Sequence, residues 1–402
     1  MVTFFSMFRV ASAVLGAFAL LAVSPRASSQ AIESPAPAGS FAPQLARAAD
    51  GSVLLSWLET TSPKSHRLRA ARLSGGQWQP AMTIAEGVEF FANWADVPSV
   101  SEHGGQLFAH WLEKSGTGTY AYHVKVRVST DNGRTWSAPY VPHSDRSPTE
   151  HGFASFFTAP GGKPGLAWLD GRETGGGGHD GAAHGGAMTL RAALAGPKGT
   201  TNEALLDNRV CDCCPTAAIS TGGAAIVAYR DRSADEIRDI SVVRFADGAW
   251  SKPVTMKDDW QIGGCPVNGP ALAARGKFVV LAWFTGANNA PAVKLAQSKD
   301  EGRTWSAPVT LSSGIPLGRV AVALTDDGRT HVAWLDHNDS NGRLLLRTID
   351  SAGKAGAPVA LTPMKTDRNS GYPRMIADGN TLIYAWTEAG SGGAKQVKIA
   401  RR

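Results

Sequence analysis

Four cysteines and two histidines carry the most reactive chemistry in this sequence. Cys211, Asp212, Cys213 and Cys214 are consecutive, Cys265 follows, and His179 and His184 stand in the glycine-rich run GGGGHDGAAHGG. Thiolates and imidazoles together suit copper or zinc, although the spacing is not that of a standard zinc motif. The same thiols read equally as disulfides if the chain is exported, with Cys265 bridged to one member of the cluster. Both readings depend on what brings these residues together, and therefore on the elements that carry them.

Those elements repeat. A short apolar strand ending in an aromatic recurs at Trp57, Trp111, Trp168, Tyr229, Trp283, Trp334 and Trp386, at intervals of roughly 50–60 residues. A proline-containing strand and a glycine turn precede most of them. A third strand follows, and a fourth begins near a Trp or Pro. Forty-five glycines, 23 prolines and 12 tryptophans in 402 residues fit many short strands and turns rather than long helices. Four strands per unit, seven times over, predict an all-β chain forming a single β-propeller, with six blades if one unit is misread. The seventh unit ends on its third strand at the C-terminus. The segment 31–40 is the expected source of its missing outer strand, with Pro35 and Pro37 suited only to an edge.

The first residues read as an export signal, residues 1–29: Arg9, an apolar run from Val10 to Val23, then Pro25 and small residues at Ala27, Ser28 and Ser29. The propeller then occupies 30–402. The expectation is an exported protein, periplasmic or secreted, with no transmembrane segment once the signal is removed. Formal charge is +6 with no Lys/Arg block, which speaks against a nucleic-acid surface.

Two stretches are nearly the same words: STDNGRTWSAP from Ser129 and SKDEGRTWSAP from Ser298. In each, an Asp can accept backbone N–H bonds within a tight turn, a Gly takes a backbone angle others avoid, and a Trp plugs the turn. The residues concerned are Ser129, Asp131, Gly133 and Trp136, and Ser298, Asp300, Gly302 and Trp305. They resemble the BNR repeat, or Asp-box, of sialidase-like β-propellers. Both copies fall between the third and fourth strands, so they lie on the lower face as structural pins.

Chemistry is then expected on the upper face, where loops two-to-three and the inter-blade connections meet at the channel mouth. These loops carry Trp94, Asp96, Glu150, His151, Arg230, Asn268, Arg319, Tyr372 and Arg374, besides the cysteines and His179/His184. Asp170–Arg172 and Asp231–Arg232 read as ion pairs or functional groups alike. The resemblance implies a substrate carboxylate held by arginines, here Arg230, Arg319 and Arg374, with Trp94, His151 and Asn268 beside it. It further implies Tyr372 as nucleophile and Glu150 and Asp96 as the carboxyl groups of an exo-α-sialidase-like glycoside hydrolase. The Phe-Arg-Ile-Pro signature of the family is absent, and the first blade has Pro43-Gln44-Leu45 there. Three readings follow: hydrolysis of an acidic glycan with no cofactor required, binding of a glycan, protein or small acidic ligand without turnover, and copper or zinc at the Cys/His cluster.

Overall fold

Each repeat becomes one antiparallel sheet in the computed structural model, which describes residues 1–2, 29–175, 186–338 and 341–402. Seven sheets form the ring. The innermost strands are Ser40–Arg47, Ser99–His103, His151–Ala159, Ala217–Ser220, Ala271–Arg275, Ile315–Leu324 and Arg374–Asp378. The last of these lies against the first, which closes the circle. Closure is also made in the seventh sheet, where the N-terminal strand Gln30–Ile32 pairs antiparallel with the C-terminal strand Lys395–Arg401. The residue pairs are Gln30 with Arg401, Ala31 with Ala400 and Ile32 with Ile399. The ring therefore has seven blades, and its outer edge is completed from the segment the sequence pointed to. The signal-like run lies outside the described residues. No described helix is long and apolar enough to cross a membrane.

The recurring aromatics explain why the blades stack. Six are tryptophans and one is Tyr229, all on the second strand and all buried between neighbouring sheets. Burying such a side chain is worth roughly 1.5–3 kcal/mol or more, and each contact joins two blades rather than one. The indole N–H finds a partner two residues along in several blades. Trp57 donates to Glu59 at 2.8 Å, Trp111 to Glu113 at 3.3 Å and Trp168 to Asp170 at 2.8 Å. In these three blades the Trp-Leu-Glu or Trp-Leu-Asp spelling satisfies a buried donor on the same strand, whereas Trp334 Nε1, in the same spelling, is buried without a partner.

The two Ser-x-Asp-x-Gly-x-Thr-Trp turns follow the third strands of the second and fifth blades and share one hydrogen-bond pattern; in the second blade the fourth strand is reduced to a bridge between Val126 and Tyr140. Ser129 Oγ donates to Asp131 at 2.8 Å and accepts the Gly133 N–H at 2.8 Å, while Asp131 accepts from the N–H and hydroxyl of Thr135 at 2.9 and 2.5 Å. The copy at Ser298, Asp300, Gly302 and Thr304 repeats these four bonds at 2.8, 2.8, 2.9 and 2.6 Å. Gly133 and Gly302 have φ of +84° and +80°, angles that side chains rarely adopt. Trp136 and Trp305 pack partly buried against the neighbouring sheets.

Candidate functional site: the upper channel mouth

The inner strands of all seven blades line a central cavity of about 480 Å³, and Tyr372 and Arg374 reach it from the seventh blade. Around its mouth the three arginines gather, each with a different set of partners. Arg230 directs Nε to the Asn268 carbonyl at 2.8 Å, Nη1 to the Arg238 carbonyl at 2.6 Å and Nη2 to the Phe284 carbonyl at 2.8 Å, and lies 4.8 Å from the Trp260 ring. Arg319 gives Nη1 to the carbonyls of Asp367 and Gly371 at 3.0 and 2.9 Å and Nη2 to that of Thr366 at 3.2 Å. Its guanidinium lies 4.8 Å from the Trp94 ring, which in turn stacks on Tyr372 at 6.0 Å. Asn268 ties the two arginines: its Oδ1 accepts the Arg319 N–H at 2.7 Å, and its Nδ2 donates to the Pro266 and Leu317 carbonyls, both at 3.2 Å. Arg319 adopts φ +52°, and Gly318 beside it leaves no room for a Cβ, which would lie 2.2 Å from Asn268 Oδ1.

Arg230 and Arg319 therefore differ from the expected carboxylate clamp. Their donors are spent on backbone carbonyls that fasten one blade to the next. Arg374 is different. It lies over the Tyr372 ring at 5.5 Å, its Nε is buried without a partner, and burial pushes its guanidinium down to about 10. None of the three arginines forms an ion pair with a carboxylate among the described residues. Two buried guanidinium groups and the half-buried Arg374, none in a direct ion pair among the described residues, give the mouth a positive character.

The expected carboxyl groups form their own pocket. Asp96 is 2% exposed, accepts the Phe153 N–H at 2.7 Å, and is pushed up to about 8 by burial and by the neighbouring Glu150. Glu150 accepts the hydroxyl of Tyr122 at 2.5 Å, and the Tyr122 ring stacks on Phe91 at 4.2 Å. Gly152 is required here, since a Cβ would lie 2.1 Å from Asp96 Oδ2 and 2.9 Å from Tyr122. The Tyr–Glu pair that the structure assembles is thus Tyr122–Glu150. Tyr372, the expected nucleophile, gives its hydroxyl to the Val267 carbonyl, and burial raises its pKa further.

His151 proves to be one of three. It stacks on His143 with ring centroids 3.9 Å apart, and its Nδ1 lies 3.4 Å from Nδ1 of His123. Its Nε2 is 3.0 Å from Asp145 and 3.7 Å from Asp170. Burial and the neighbouring ring push His143 down to about 2, and burial pushes His123 down to about 4. Asp170 also receives Arg172 through two bonds of 2.7 Å, as the ion-pair reading expected, whereas Arg232 turns to Glu236 at 2.7 Å.

The cysteines of the fourth blade come together too. Cys211 Sγ lies 3.3 Å from Cys214 Sγ and 3.7 Å from Cys213 Sγ, and all three side chains are buried. Cys265 is exposed and near Asp212 and Cys213. These spacings exceed the roughly 2.05 Å of a sulfur–sulfur bond, and the expected disulfides are not present among the described residues. Burial disfavours the Cys211 thiolate, but hydrogen bonds from Cys213 and Cys214 and the charge of Arg238 outweigh it and hold Cys211 well below the usual thiol range. His179 and His184 lie outside the described residues.

Tyr122, His123, His143 and Trp260 were not singled out in the sequence. His143 and Trp260 lie in connections between one blade and the next, which carried a positional signal; Tyr122 and His123 come from a third strand.

No protein-family model and no curated protein matches this chain. Solved structures do. A polysaccharide lyase of family PL25, an ulvan lyase, is 13% identical over 92% of this chain and 95% of its own, with a TM-score of 0.55. The GH93 α-L-arabinofuranosidase of Fusarium graminearum is 15% identical over 93% of this chain and 97% of its own, at 0.51. A Trypanosoma rangeli sialidase is 14% identical over 79% of this chain and 56% of its own, at 0.49. At these identities the likeness is one of fold.

Proposed function

We propose that the upper mouth is a receptor for an acidic saccharide, held through its carboxylate by Arg374. One observation carries this reading: the buried Arg230 and Arg319 and the half-buried Arg374, whose Nε is buried and unbonded, stand at the mouth, and none forms an ion pair with a carboxylate among the described residues. An unpaired buried cation is costly, and an anion entering the cavity removes that cost. Arg230 and Arg319, fixed by carbonyls, supply field without moving; Arg374 supplies the donor still to be satisfied. The cavity of about 480 Å³ has the size of a small-ligand site. Two proteins of like fold act on saccharides by their names, the ulvan lyase and the arabinofuranosidase, which supports a glycan as the ligand class.

Turnover would draw on the neighbouring pocket. Asp96, protonated at neutral pH, is the candidate proton donor, and Tyr122–Glu150 is the candidate nucleophilic pair in place of Tyr372. The test is a panel of sialosides, uronic-acid oligosaccharides and neutral analogues, read by calorimetry for binding and by reducing-end release for hydrolysis. Arg374→Gln is expected to weaken acidic ligands about 10- to 100-fold, the worth of a charge-assisted bond, and to leave neutral ones unchanged. Equal affinity of wild type and variant for every acidic ligand would sink the reading.

A further inference from the structure

We infer that Cys211, Cys213 and Cys214 form a buried three-sulfur site for copper(I), independent of the saccharide reading. The turn that opens the fourth blade places the three Sγ atoms within 4.8 Å of one another, with separations of 3.3 and 3.7 Å from Cys211. An ion bonded to sulfurs at about 2.3 Å holds them about 3.8–4.0 Å apart, so Cys211 and Cys214 must part by about 0.5–0.7 Å and Cys211 and Cys213 by about 0.1–0.3 Å. The three thiols are 0, 5 and 1% exposed, and Arg238 Nη1 lies 3.5 Å from Cys211 Sγ.

The number of sulfurs selects the metal. Cys265 does not join the buried set. It stands on the rim in a second group with Asp212 and Cys213, where its Sγ is 3.9 Å from Asp212 Oδ1. Zinc takes four ligands in structural sites, whereas three soft thiolates in a closed pocket suit the soft monovalent ion. Binding releases the thiol protons to solvent. One copper(I) with three thiolates carries a net charge of −2, which the guanidinium of Arg238 and the adjoining Arg230, bonded to the Arg238 carbonyl at 2.6 Å, partly offset. Cys213 belongs to both groups, so the exposed Cys265, with the half-buried Asp212 beside it, is the route by which the ion enters and leaves.

The full chain, reduced and kept anaerobic, is titrated with copper(I) in competition with a chromophoric bicinchoninate chelator. One ion per chain is expected, with three sulfurs at about 2.2–2.3 Å by copper-edge X-ray absorption. Serine at Cys211, Cys213 or Cys214 should weaken binding at least about 100-fold, more than a loss outside the ligand shell would. Cys265→Ser should keep the stoichiometry and slow release to the chelator about tenfold. Arg374→Gln should change neither. Failure of wild-type protein to compete for copper(I), a spectrum of nitrogen ligands, or copper kept by Cys213→Ser and lost by His143→Ala would each overturn the assignment. The absorption spectrum of the wild type decides the matter even where a serine variant does not fold.

Discussion

Replacing Asp96 with asparagine is expected to stabilise this protein at neutral pH. The carboxyl is buried, accepts a backbone N–H from Phe153 at 2.7 Å and lies beside Glu150, so its pKa rises from 3.8 to about 8. Between those values the folded chain holds a proton that the unfolded chain has released. Stability therefore falls as pH rises, by about 1.4 kcal/mol per pH unit, until the folded group itself ionises near pH 8. At pH 7 the accumulated loss is about 4 kcal/mol. Asparagine keeps the oxygen that Phe153 needs and carries no proton to lose. Urea unfolding of both proteins from pH 4 to 8 should show curves that nearly coincide at pH 4 and diverge steadily to about 4 kcal/mol at pH 7 in favour of the variant. A difference that stays constant across this range would refute the reasoning. So would a carboxyl resonance of Asp96 that titrates near pH 4.

Four further perturbations probe the frame that holds the mouth. Asp131 and Asp300 are held down at about 2 by bonds from Thr135 and Thr304, so their contribution to folding is complete above the ordinary carboxylate range. It should be lost only as pH falls through about 2, and Asp131→Asn should flatten that acid limb in a circular-dichroism titration. Gly133→Ala should cost about 2–4 kcal/mol in denaturant midpoint measurements, because its Cβ would meet Met82 Sδ at 2.2 Å at a φ of +84°. Gly76→Ala, at φ +79° with open space, should cost about 1–2 kcal/mol. Deleting residues 30–34 should cost about 2–3 kcal/mol through lost ladder bonds and the packing of Ile32, and should leave the edge strand Lys395–Arg401 open to self-association, visible by light scattering.

The fold was legible because each blade must bury an aromatic on its second strand and must turn tightly between its third and fourth. Trp57 through Trp386 and the twin Asp-boxes are the written trace of those two needs. The closure strand was legible for a related reason: a seventh unit lacking its fourth strand needs one. The site was legible only in part. The chain shows that Arg230, Arg319 and Arg374 share a face, but not that two of them spend their donors on carbonyls, since a carbonyl acceptor leaves no mark in the amino-acid sequence. Tyr122 reads as an ordinary strand residue because its partner, Glu150, is 28 positions away. The approach of His123 to His151 was hidden by the same separation of 28 positions. The cysteine cluster was visible as a cluster, while its state, three close thiols rather than disulfides, depends on distances between side chains that spacing in the sequence does not convey.

The central claim is that the mouth awaits an anion. It is tested most directly by calorimetric titration of the purified chain with two oligosaccharides alike in length and linkage, one ending in a uronic acid and the other in the corresponding neutral sugar. The account expects the acidic ligand to bind at least about tenfold tighter, an advantage that disappears in Arg374→Gln and shrinks with added salt. Equal affinity for the two sugars, or an acidic preference that survives loss of Arg374, would contradict it.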